Sequence, residues 1–331
     1  MIPFIRPHLA RRAVIALLAA SAFVFSGAAP SSAQTKPKIV AASLTLPVIA
    51  PLVWNIMKVR GFDAKHGFEL ELKPYPSIAA YYAGFATGEV DVQVGGPTVY
   101  QKLRIEGVPA RIVGTAMTLS DLVIFVKDDK IKSLADLKGK QLAADMGSGQ
   151  FQVVKIYANA KGLDLGKDIT VVNANFAVAR AQLEADRVDA AMVIEPLASI
   201  IQKQNPSWKV IFNAADAWKE ITGQNGYELV MGMREDSIKR VPDAPKMLLA
   251  ALKDVAAFIK SDIDAADKIA VENVKLPPGI LKAAVSSNRL EIVADNAWDT
   301  ATRKALLDMM ERAVKAGFYA KMADDKIIYT P

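Results

Sequence analysis

The 331-residue chain contains no cysteine. That excludes disulfides, thiolate metal sites, cysteine nucleophiles and a lipid-modified N-terminal cysteine, so the fold has to stand on its core alone. Histidine is nearly missing as well, with two in the whole chain, at positions 8 and 66. A transition-metal site or a His-based triad has almost nothing to be built from. His66 sits in "AKHGFELEL" beside Gly67, the pattern of a helix end and not of a ligand. No apolar run reaches the roughly 20 residues of a bilayer span. No run of Lys and Arg offers the basic stripe that nucleic acid needs. The expectation is a protein with no metal, no cofactor and no nucleic-acid partner.

What is present begins with a leader. "MIPFIRPHLARR" is basic and lacks acids, "AVIALLAASAFVF" is apolar but short, and "SGAAPSSAQ" supplies the small residues of a cleavage site, with Ser31 and Ala33 in the recognition positions. This is the pattern of a secretory signal peptide over residues 1–33, cleaved near Ala33, with a mature chain starting near Gln34. Removing it takes three of the 41 basic residues, Arg6, Arg11 and Arg12, and no acid. The formal charge falls from +6 to +3, 38 basic residues against 35 acidic. An excess that small keeps a surface soluble and says little else.

The remainder alternates strand and helix patterns, which argues an α/β fold with a mostly parallel sheet. One segment occurs nearly twice. "FATGEVDVQVGGPT" (residues 85–98) and "LEADRVDAAMVIEP" (residues 183–196) align at a shift of 98 positions, Val90 on Val188 and Asp91 on Asp189. Each reads as helix, polar turn, Val-Asp, short buried strand and a proline-containing mouth. Two apolar strands, near 121–127 and 227–233, lie at the seams between the similar units, and "ELVMGM" resembles "DLVIFV" in pattern. The simplest topology has lobe 1 over residues 34–125, lobe 2 over 126–226, and a return to lobe 1 over 227–331, where the helical tail packs. Two crossings make a hinge, and hinged lobes make a cleft.

In open α/β sheets ligands bind beyond the carboxyl ends of the strands. Gly96, Pro97 and Thr98 lie at such an end, and Glu195 with Pro196 lies at the matching one, unless both are simply structural βα turns. In "DMGSGQF" a strand ends, Gly-Ser-Gly turns, and a helix starts at about Gln150. The turn suits one carboxylate, sulfonate or other small oxyanion, with the Ser148 hydroxyl as an added donor; equally, Ser148 serves as a helix N-cap. It has neither dinucleotide nor Walker spacing.

In order, the leader, "GFDAKHGFELEL", "FATGEVDVQVGGPT", "IKSLADLKGKQLAADMGSG" and "LEADRVDAAMVIEP" resemble the nitrate/sulfonate/taurine-type periplasmic substrate-binding proteins of ATP-binding-cassette (ABC) importers, from about residue 38 to about residue 232. The resemblance implies a type II periplasmic-binding-protein fold: two α/β lobes, two hinge crossings and a helical C-terminal tail on lobe 1. It implies no catalysis, a small-molecule ligand in the inter-lobe cleft, transient docking on an inner-membrane ABC permease, and a monomer. Carried across position by position, its ligand loops fall on Leu46 and Pro47, on Ser77 to Tyr81, on Gly96, Pro97 and Thr98, and on Leu119 and Ser120. Further loops fall on Ser148, Gly149, Gln150 and Phe151, on Asn175 and Phe176, and on Glu195. Many relatives carry Trp where this chain has Ile194. Almost none of these positions is cationic, whereas a dehydrated dianion calls for an Arg fork. Tyr81, Phe151, Phe176 and Tyr227 suit a partly apolar molecule, or else belong to the core. Glu195 either accepts from an amine or caps a helix. Two other functions share the fold: a pyrimidine-synthase-like enzyme, which needs an internal histidine and a cysteine-rich segment, and a sensory protein for a membrane receptor.

Overall fold

A computed structural model of the chain describes residues 36–331 and Met1; otherwise the leader and its cleavage point lie outside the described residues. Among the described residues no helix is long and apolar enough to cross a membrane. Ten strands form two five-stranded sheets. The strands are β1 (Lys38–Leu44), β2 (Glu69–Tyr75), β3 (Val92–Gly95), β4 (Ala110–Thr118), β5 (Val123–Val126), β6 (Gln141–Ala144), β7 (Thr170–Asn173), β8 (Ala190–Val193), β9 (Lys209–Asn213) and β10 (Tyr227–Arg234).

Lobe 1 has the order β2-β1-β3-β10-β4 and lobe 2 the order β7-β6-β8-β5-β9. These are one topology twice. In each sheet four strands follow one direction and the fourth position holds an antiparallel strand: β10 against β3 and β4, β5 against β8 and β9. That strand is in both cases the first after a crossing. β3, β5 and β8 are buried along their whole length, as strands covered on both faces must be. On one face of the first sheet, the helices Ala50–Val59 and Ala244–Ser261 bury Leu52, Trp54, Ile56, Leu248, Leu252 and Val255.

The seam strands were expected to straddle a boundary at 125/126, which instead falls inside β5. β5 belongs wholly to lobe 2, because its ladder runs against β8 and β9. The first crossing is the single 3-10 turn Leu119–Asp121, and the second follows the helix Ala214–Thr222 and precedes β10. The crossings bond to each other, Leu119 N–H to the Gly226 carbonyl at 3.2 Å. Gly226 has to be glycine: a Cβ there would stand 2.3 Å from Leu119 Cδ1 and 2.8 Å from the Trp218 ring.

The helical tail does more than return to lobe 1. Ala244–Ser261 packs on lobe 1, but Ile280–Ser286 meets the lobe 2 helix Leu197–Gln204. Thr300–Lys315 touches Pro97–Ile105 of lobe 1 and Gly149–Ala160 of lobe 2. Its buried stripe, Thr302, Ala305, Leu306, Met309, Met310 and Ala313, keeps helical spacing and fills the join between the lobes. Bridges from Ile292, Asn296 and Ile328 to β4 cover that edge strand.

Candidate functional site

The repeated Val-Asp turn fixes where the strand ends point. Asp91 Oδ2 accepts the Val40 N–H at 2.9 Å while the Asp91 N–H donates to the Val40 carbonyl. Asp189 makes the same pair of bonds with Gln141, at 2.8 Å and 3.0 Å. Each aspartate thus pins the lobe's central strand to its neighbour. The following strand then delivers its mouth to a shared line: Gly96 to Thr98 from lobe 1, Glu195 and Pro196 from lobe 2.

The mouths meet. Gly149 lies so close to lobe 1 that a Cβ built on it would stand 3.7 Å from Thr98 Oγ1. Beside it Gln150 Nε2 donates to Glu228 Oε1, lobe 2 to lobe 1, and Gln152 Nε2 donates to Tyr319 Oη at 3.3 Å. Gly96, Thr98, Gly149 and Gln150 are half-buried, as is Leu46 at the end of β1, while Pro47 is exposed and Pro97 buried. Of the expected loops, the structure thus brings together those holding Thr98 and Gly149. Glycine and threonine suit the contact, since small residues let two backbones approach.

Other expected residues have their polar groups already engaged. The helix at "GSGQF" starts at Gly149, one residue earlier than expected, with Ser148 as its cap. Ser148 Oγ accepts from Phe151 N–H at 3.1 Å and donates its proton to the Asp145 carbonyl at 2.7 Å. Of its two readings the capping one describes the geometry, and an anion would have to compete for that proton. Ser77 caps the helix Ile78–Thr87 through Ala80 N–H, and Asn175 caps Phe176–Glu184 through Val178 N–H. Tyr81 is core: its hydroxyl donates to the Val94 carbonyl at 2.6 Å and accepts from Val94 N–H. Burial, first of all, pushes that phenol well above its usual range. Leu119, Phe151 and Tyr227 are buried, and Phe176 is half-buried. Ser120 Oγ pairs with Thr118 Oγ1 and its carbonyl accepts from Asn213 Nδ2, so it stiffens the crossing. His66 Nε2 lies 2.7 Å from Asp254 Oδ2, away from the cleft.

Glu195 is neither free nor merely a cap. Its carboxylate accepts from Ser199 N–H and Oγ at the start of the helix Leu197–Gln204 and from Arg289 Nε at 2.7 Å. Burial raises its pKa, and Arg289 followed by Ser199 offsets part of that. Arg289 comes from beyond the helix Ile280–Ser286, so the pair ties the tail to lobe 2. Sequence reasoning missed Arg289, which stands 94 positions away with no local signal. It also missed Asp121, Glu228 and Tyr82, whose hydroxyl faces Gly96 N–H at 3.4 Å. A signal for the two acids did exist: each opens the matching segments "DLVIF" and "ELVMG", a carboxylate against a wholly apolar strand.

Two cavities lie elsewhere among the described residues. One of about 410 Å³ lies at the hinge, lined by Thr118, Ser120, Asn213, Gly226 and Glu291. Another of about 330 Å³ is lined by Lys127, Gln141, Asp186 and Asp189, at the end of lobe 2 opposite the mouths. Among the described residues no group of His, Asp or Glu is arranged to hold a metal ion.

The fold is shared with known proteins. The chain is similar to the periplasmic aliphatic sulphonate-binding protein SsuA of Escherichia coli, with a TM-score of 0.74 at 16% identity over 90% of this chain and 93% of that one. It is 21% identical to a Brucella abortus protein named for an inferred binding role, over 81% of this chain and 79% of the relative. A Haemophilus influenzae protein named for an inferred role in thiamine biosynthesis is 30% identical over 49% of this chain and 51% of its own length. The NMT1/THI5-like family model matches residues 50–266, two lobes and both crossings included. With two sheets of one topology in a periplasmic-binding-protein fold, the chain belongs to the NMT1/THI5-like family.

Proposed function

We infer that the protein is the solute-binding component of an ABC importer, capturing a small organic molecule between its lobes in the periplasm and presenting the closed form to a membrane permease. The observation that carries this is the meeting of strand ends from two lobes of one topology, Thr98 facing Gly149 and Gln150 bonded to Glu228, over a pair of hydrogen-bonded crossings. Such a geometry holds a ligand by enclosure, and closure is what a permease can read. The leader read from the sequence supports export.

Of the two solute classes open from the sequence, a small organic anion and a partly apolar molecule, the site favours the second. The mouth loops carry no Lys or Arg, Arg289 is engaged with Glu195, and the Ser148 proton is engaged with Asp145. Catalysis is less well supported, because the only histidine near the fold's core pairs with Asp254 outside the cleft. The test is a melting-temperature screen of carboxylates, sulfonates, nitrate, amines and heterocycles, followed by small-angle scattering on every hit. A ligand of the folded state raises the melting point by mass action, and it should shrink the radius of gyration. Tight binding with no change in shape, or conversion of the bound molecule, would remove this reading.

A further inference from the structure

The charge in the cleft floor is one-sided. Asp121 from the first crossing, Glu195 from the end of β8 and Glu228 from the start of β10 are 2%, 1% and 8% exposed. The cation bonded to this set is Arg289, whose guanidinium reaches Glu195 and, at 3.3 Å, Ser199. Glu228 has the Gln150 amide. Asp121 Oδ1 is buried with no hydrogen-bond partner. The two seam acids hold equivalent places, one from each half of the duplicated topology. The first crossing packs against β10, which brings the two acids near one another; burial, then Glu228, then Glu195, drives the Asp121 carboxyl well above its usual range, and burial lifts Glu228 to about 7.

A buried carboxylate oxygen without a partner is costly to keep. Apolar residues of the same volume would make a more stable hinge, so such groups persist where a ligand completes them. A metal ion is the wrong ligand, because the acids are not disposed around one point. An organic cation with several N–H donors matches their spread over both lobes.

We propose that Asp121 and Glu228 recognise a protonated amine: the solute's ammonium group lies between them, one N–H meeting the unpartnered Oδ1 of Asp121 and another the Glu228 carboxylate. The inference rests on the cleft being the solute site. It names the chemical class as a partly apolar amine, its apolar portion toward Phe176 and the Tyr82 ring. Because one acid comes from each seam, the ammonium draws the lobes together, which joins recognition to closure.

The titratable groups facing Glu228 are Asp121 and Tyr82, which has Tyr319 beside it; Glu195, with its Arg289 partner, faces Asp121. Tyr82 is pushed by burial to about 12 and is silent near neutrality. Below pH about 7 Glu228 holds a proton that an ammonium must displace, so binding tightens as pH rises, by up to about tenfold per unit below that pKa.

The probe is benzylamine, compared with benzyl alcohol, benzoate and benzenesulfonate by calorimetric titration at pH 6 and pH 8 on the mature chain. The expected result is binding by benzylamine alone, about tenfold tighter at pH 8, with proton release seen in buffers of different ionisation heat. Glu228→Gln and Asp121→Asn should each weaken it at least tenfold. Without ligand both variants should melt no lower than the wild type at pH 8, since each removes a buried negative charge; a purely structural role predicts lower melting. Failure of benzylamine to bind at millimolar concentration overturns the inference. So does an anion that binds more tightly as pH falls, because the protonated acids would then be donors to it. An anion that compacts the protein overturns the amine but leaves solute capture standing. Benzylamine binding with no compaction upholds the amine site and counts against capture by closure.

Discussion

The two lobes carry the same Val-Asp turn but anchor it differently. In lobe 1 Asp91 is buried, and beyond its bond to Val40 it accepts from Ser237 Oγ at 2.6 Å and pairs with Arg240. In lobe 2 the matching Asp189 is part-exposed and has Lys140 at 4.0 Å. At the tight turn just before, lobe 1 has Gly88 at φ 83° and lobe 2 has Asp186 at φ 53°, the same position by the repeat. One backbone plan is thus kept by two sets of side chains. The shared part, a carboxylate clamping the first strand, aims the mouths; the differing part records that lobe 1 is covered by the tail and lobe 2 is open there.

The largest effect should come where the tail crosses to lobe 2. Arg289→Met strands Glu195 in a buried site and is expected to cost about 3–5 kcal/mol at pH 8, measured by urea denaturation. The loss should shrink as pH falls toward 5. Without its guanidinium the folded-state Glu195 holds a proton to higher pH than in the unfolded chain, so the folded form binds the extra proton and stability declines as pH rises through that window. A loss independent of pH would show that packing, and not charge, is what Arg289 supplies.

Next comes the contrast between the clamps. Asp91→Ala leaves a backbone N–H, a hydroxyl and Arg240 without their acceptor and should cost about 3 kcal/mol, against about 1 kcal/mol for Asp189→Ala. Equal costs in the same denaturation assay would mean that burial does not distinguish the copies. Ser148→Ala should cost about 1 kcal/mol through the lost cap and leave solute affinity within about twofold. A large affinity loss with an unchanged melting curve would return Ser148 to the list of ligand contacts. The smallest effect belongs to the turn itself. Asp186→Gly relieves a left-handed aspartate and should stabilise by under about 1 kcal/mol, partly offset by the freer unfolded chain and by the lost pair with Lys127. A drop in melting temperature would assign Asp186 a role that its backbone does not suggest.

Much of this architecture was legible in the sequence because it is local. The alternation of strand and helix was read from local pattern, and the helix at Gly149 starts where Ser148 can accept from the N–H three residues on, one of its two readings. The duplication was legible too, in Val-Asp and in the two seam strands. The boundary at 125/126 was misplaced because an apolar strand gives no hint of which sheet it joins; that depends on β8 and β9, residues 190–193 and 209–213. For a similar reason the sequence left open whether the aromatic residues line the cleft or the core. Tyr81 lies at a mouth in the sequence, but its ring points inward and its hydroxyl closes on β3.

By itself the sequence determined what short-range chemistry determines: absence of thiol and imidazole chemistry, two rounds of strand and helix, caps, and the glycine and proline at the mouths. Tertiary structure alone decided the charge of the cleft. Asp121, Glu195, Glu228 and Arg289 span 168 positions of chain, and the double crossing together with the returning tail gathers them where the lobes join. Burial there turns ordinary surface-type acids into high-pKa groups, a property that belongs to their surroundings and that no local pattern carries.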